Sequence, residues 1–115
     1  MNTIADQYYF KAKGLYPYNL EEILENLRYA LSYDDEHIGA NALMAQVYTD
    51  DLVDYDQAEE YYQRAMAADP TNVEVCLEYT RLLIIKKAFD KAERLIDHIK
   101  GFKAVDLARL YYYEG

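Results

Sequence analysis

The chain is 115 residues long, with 52% apolar and 29% charged side chains, which is one domain of folded polypeptide and not a disordered tail. Burial at that length suffices for a core without a disulfide or a structural metal. Twelve Lys+Arg against 21 Asp+Glu leave a formal charge of −9, and a field of that sign disfavours nucleic acid, anionic membrane surfaces and acidic substrates.

A single cysteine, Cys76, excludes an internal disulfide and agrees with a reducing compartment. The start of the chain carries Asp6 and has neither the basic flank nor the apolar run of a secretory signal. The strongest apolar run, Leu82-Leu83-Ile84-Ile85, is far shorter than the roughly 20 residues of a membrane helix, so the expected location is cytoplasmic. Fourteen tyrosines and no tryptophan suit thin architectures and interfaces, where a large ring is buried and its hydroxyl stays at a wet edge.

Helix formers dominate, and four glycines and two prolines are all that interrupt them. The apolar spacing predicts a first helix from Thr3 to Lys13, ended by Gly14. Pro17 makes Leu15–Tyr18 a connector. Asn19 is placed to cap a second helix that runs to Tyr33, with Glu21 and Glu22 in its first turn and a stripe of Leu20, Ile23, Leu24, Leu27, Ala30 and Leu31. After the polar turn 34–37, a third helix is expected over Ile38–Thr49. An acidic turn, 50–54, leads to a fourth over Tyr55–Ala68, stopped by Asp69-Pro70. Thr71 or Asn72 caps a fifth to Lys87, a sixth spans Phe89–Lys100 before Gly101, and a seventh spans Ala104–Glu114. Turns this short make neighbouring helices antiparallel.

An internal period accompanies this alternation. Tyr55 and Phe89, Ala58 and Ala92, and Ala65 and Ile99 are each separated by 34 positions. Residues 55–70, read as Tyr-Asp-Gln-Ala-Glu-Glu-Tyr-Tyr-Gln-Arg-Ala-Met-Ala-Ala-Asp-Pro, resemble the second helix of a tetratricopeptide repeat, with Ala58 as its small residue, Tyr62 as its aromatic and Pro70 as its closing proline. In the helix before it, Asn41 stands where the pattern has tryptophan, Met44-Ala45 where it has Leu-Gly, and Tyr48 at its tyrosine, with a turn one residue longer than usual. The next unit places Cys76, Tyr79, Thr80, Leu83, Ala92 and Ile96. Leu107-Ala108, Tyr111 and Gly115 open another that stays partial, and Ile23, Leu27, Ala30 and Asp35 fill second-helix slots of the first. The resemblance is strongest over 37–100.

The resemblance implies an all-α, right-handed superhelical solenoid of about 3.5 helix pairs (seven helices), forming one domain over 1–115 with repeats near 1–36, 37–72, 73–102 and 103–115. It also implies a non-enzymatic scaffold that binds another protein. Such a fold lines its concave face with the first helix of each pair. Projecting those helices places Leu43, Gln46 and Asp50, then Leu77, Glu78, Arg81, Ile84 and Ile85, on an expected groove for a peptide or helix. The competing reading packs Leu77 and Ile84 against neighbouring repeats. Chaperone-binding members clamp a C-terminal carboxylate with cationic and amide side chains. The matching positions here are Gly39, Leu43, Glu74 and Glu78, so a basic or apolar ligand fits better. A second expectation is a structural role through the C-terminal helix around Tyr111–Gly115, either as a homodimer or as a fragment of a longer repeat array, since an uncapped stack leaves an apolar face.

Chemistry is poorly provided for. Ser32 is the only serine, no glycine-rich phosphate loop exists, and His37 and His98 lack zinc spacing. Cys76, at the tryptophan position, is expected to be packed and inert. Asp50, Asp51, Asp54 and Asp56 crowd one turn and Asp34, Asp35, Glu36 and His37 another. Neither has the glycine and bidentate glutamate of a calcium loop, and Asp54 reads as a helix cap. No cofactor or metal is expected.

Overall fold

A computed structural model describes residues 2–102, and the chain divides into two compact units, Met1–Pro70 and Thr71–Gly115. The described residues form helices only: α1 (Ile4–Leu15), α2 (Leu20–Tyr33), α3 (Ile38–Asp50), α4 (Tyr55–Ala68), α5 (Val73–Ile85) and α6 (Phe89–Lys100). The expected seventh helix lies outside the described residues. None of the six is long and apolar enough to cross a membrane.

Local chemistry sets most boundaries. Thr3 and Asp6 form a reciprocal box in which each side chain accepts the other's backbone N–H at 3.0 Å, which opens α1. Asn19, Asp54 and Asn72 accept the N–H groups of Glu22, Gln57 and Val75 at 3.3, 3.2 and 3.1 Å, and so start α2, α4 and α5. Two ends differ from expectation. Helix α1 passes through Gly14 to Leu15, because Tyr16 is the residue that Pro17 forces into extended geometry (ψ 136°). Helix α5 stops at Ile85 rather than Lys87, since Lys87 turns left-handed (φ 62°).

In the first unit α1 packs on α2, α2 on α3, and α3 on α4, with a further contact between α1 and α3. Its core joins Ala12, Ile23, Leu27, Ala30, Ala40, Leu43, Met44 and Val47. Each of the larger of these contributes about 1.5–3 kcal/mol by leaving water. Leu20, Leu24 and Leu31, expected on the same stripe of α2, are only partly buried at its edge. Ala45, Ala58 and Ala65 are fully buried, as close approach between antiparallel helices requires, and Tyr62 is buried with them. In the second unit α5 packs on α6, burying Val75, Cys76, Leu77, Tyr79, Leu82 and Leu83 from one helix and Ala92, Leu95 and Ile99 from the other.

The period has a measurable interruption. Helices α4 and α6 begin 34 residues apart, whereas α3 and α5 begin 35 apart. The extra residue sits in the α3–α4 turn. There Asp54 N–H donates to the Tyr48 carbonyl, while in the α5–α6 turn Ala88 N–H closes the matching bond on Leu83, both at 2.8 Å. The first bond spans six positions and the second five.

Candidate functional site

Helix α5 buries most of its circumference, since Val75, Cys76, Leu77, Tyr79, Thr80, Leu82 and Leu83 are all inaccessible. What remains open is a narrow strip one to two turns apart: Glu74, Glu78, Arg81 and Ile85, with Ile84 at the helix end. Ile84 and Ile85 are 45% and 38% exposed, and Arg81 is exposed beside them. Glu78 is half-buried. Leu77, expected on the groove, is buried with 3% exposure and belongs to the core. A helical projection cannot tell which positions of a helix packing closes, and on α5 Leu77 is one of them.

On α3 the corresponding strip, 35 residues earlier, is Gly39, Leu43, Gln46 and Asp50. It is roofed by α1. The Tyr9 ring lies so close over Gly39 that a Cβ there would approach it to 2.7 Å, so only glycine admits the ring in that position. Tyr16, at the end of the same helix, donates its hydroxyl to Asp51 Oδ2 at 3.0 Å. Both rings pack against the cluster that contains Leu43, which is therefore core and not groove surface. Gln46 is half-buried beside Tyr16, and only Asp50 of the three expected α3 residues is exposed. Burial first, and then the Asp51 hydrogen bond and the Asp51 and Asp50 charges, push the Tyr16 hydroxyl up to about 12.

A second polar link joins α1 to α3. His37 caps α3 by accepting the Ala40 N–H on Nδ1 at 3.0 Å. That bond puts the ring proton on Nε2, which donates to Asp6 Oδ1 at 2.6 Å. The Thr3 backbone N–H and the His37 bond hold the Asp6 carboxyl below its ordinary value of 3.8. The sequence carries no signal for this pair, because histidine is an uncommon cap and its partner is 31 positions away. Asn41, in the slot of the pattern's tryptophan, donates to the Asp35 and His37 carbonyls at 3.0 Å and staples the α2–α3 turn. Its own carbonyl oxygen is buried without a donor among the described residues.

The residues screened for chemistry have structural work. Cys76 is wholly buried, where a thiol is unreactive. Asp54 caps α4, Asp51 holds Tyr16, and among the described residues no three His, Cys, Asp or Glu side chains converge on a common metal position. The stretch Tyr111–Gly115, expected to self-associate, lies outside the described residues.

A search of curated proteins finds no match to this chain. A family model described as tetratricopeptide repeat matches residues 53–112, which begins within the α3–α4 turn, covers α4, α5 and α6, and takes in more than half of the chain. With antiparallel helix pairs, buried alanines at the close approaches and a period of 34–35 residues, the chain belongs to the tetratricopeptide repeat family.

Proposed function

We propose that this protein is a non-enzymatic scaffold that captures a peptide or helix of a partner protein on the exposed strip of α5. Tetratricopeptide repeats generally mediate protein–protein interactions, which supports the class of function. The observation that carries the particular site is the exposure of Ile84 and Ile85 beside Arg81 on the first helix of a pair. Glu78 and Glu74 lie on the same strip one and two turns from Arg81 towards the helix start, so the ligand that fits has a cationic end and an apolar end. A rigid helical surface loses little entropy on docking, which is how a small apolar contact yields useful affinity.

The test is capture of the partner from the source cell by the wild type and by an Arg81→Glu/Ile84→Asp variant, with far-UV circular dichroism as the folding control. Loss of the captured protein with helicity unchanged is the expected result. Equal capture by a folded variant removes α5 from the site. Leu77→Asp is not a test of the surface, because it places a charge in the core.

A further inference from the structure

In the α3–α4 turn Val53 has φ 54°, a left-handed conformation that is uncommon for any residue with a Cβ and a genuine outlier for a β-branched one. The fold demands this geometry at that place: Lys87, 34 positions on and in the corresponding turn after α5, has φ 62°. It does not demand valine, because glycine would adopt the geometry without strain and Lys87 meets it with a solvated side chain. Nor does the valine repay its strain by burial. Val53 is 59% exposed and its neighbour Leu52 is 44% exposed. Leu52-Val53 thus replaces, in one turn, the Lys86-Lys87 of the other. Strain held where it brings no packing points to selection for contact with something else.

We infer that Leu52 and Val53 form a docking knuckle, a second interaction surface independent of the α5 strip. Its occupant is a cationic amphipathic helix of another protein. Asp50, Asp51, Asp54 and Asp56 each lie within four positions of the two apolar side chains. The whole unit reinforces them: residues 1–70 hold fourteen acidic and four basic side chains, a formal charge of −10, whereas residues 71–115 hold seven and eight, or +1, together the −9 of the chain. Leucines on the partner's apolar face cover Leu52 and Val53, while its flanking lysines or arginines meet the carboxylates. Asp51 and Asp54 are already engaged, the first by Tyr16 and the second as the α4 cap, which anchors the knuckle to the end of α1 and the start of α4.

The probe is a synthetic amphipathic lysine/leucine helix, titrated into the isotope-labelled full chain and followed by amide chemical shifts. The largest shifts are expected at residues 50–56. Val53→Gly is expected to weaken binding about tenfold, the equivalent of losing a buried valine side chain, while raising the unfolding midpoint by removing the strain. Val53→Lys, which reproduces the residue at 87, keeps the backbone geometry and loses affinity as well. A peptide with its leucines replaced by glutamine binds at least tenfold more weakly. Arg81→Glu/Ile84→Asp leaves the knuckle's affinity unchanged, which separates this site from the α5 strip. Shifts confined to α5, affinity unaltered by Val53→Gly, or equal binding of the leucine-free peptide would each overturn the inference.

Discussion

Tyr16 and Asp6 tie the two ends of α1 to the second helix pair of the first unit, and both ties are acid–base equilibria. The Tyr16 hydroxyl is held up to about 12 against its ordinary 10.0, mainly by burial and by the hydrogen bond it donates to Asp51. The protonated form is favoured in the folded state, so its stabilisation is complete below pH 10 and disappears as the pH rises towards 12. Stability measured by denaturant midpoint should therefore fall between pH 10 and 12, and Tyr16→Phe should flatten that fall. Asp6 has the opposite sign. Its carboxyl lies below 3.8, through the Thr3 backbone bond first and His37 second, so its contribution is present above that pH and is lost as the carboxyl protonates in more acid solution. Asp6→Asn should remove part of the acid-induced loss of stability while leaving the alkaline limb unchanged.

At the scale of elements, caps decide where helices begin, because the first turn leaves backbone donors that a side chain must satisfy. Asp54→Ala and Asn72→Ala should each lower stability by about 1 kcal/mol, read from urea unfolding, and a double substitution should be additive to within a few tenths, the two caps standing on separate helices. These starts were legible from residue type alone: Asn19, Asp54 and one of Thr71 or Asn72 stand directly before amphipathic runs. His37 was not, since nothing in Asp-Asp-Glu-His distinguishes a capping imidazole from a solvated turn residue. The left-handed ends at Val53 and Lys87 were equally hidden, because neither position carries the glycine that usually announces such a conformation.

At the scale of the molecule, charge is divided unevenly, −10 over residues 1–70 and +1 over 71–115. A cationic helix such as the lysine/leucine probe is therefore expected to be steered to the first unit from beyond contact distance, and salt should screen that attraction. Raising sodium chloride from about 20 to about 200 mM should slow association of the lysine/leucine probe by roughly tenfold or more, with a much smaller change in its dissociation rate, measured by stopped-flow fluorescence. An association rate insensitive to salt would remove the field from the account.

The order and type of the six described helices, the 34-residue period and the family resemblance were readable along the chain, because each depends on interactions among residues a few positions apart: the helical period, the caps, the small residues spaced for close packing. Which side of each first helix remains open was not. Leu43 and Leu77 occupy surface positions by projection, yet both are buried. In the first unit the roof over α3 is built by Tyr9 and Tyr16, 30 or more positions away, whose rings reach Gly39 and Asp51 only after α1 folds back on its neighbours. Period reveals the face that a helix could turn towards a partner. Whether another part of the same chain has already claimed that face is settled by long-range packing, which leaves no local mark.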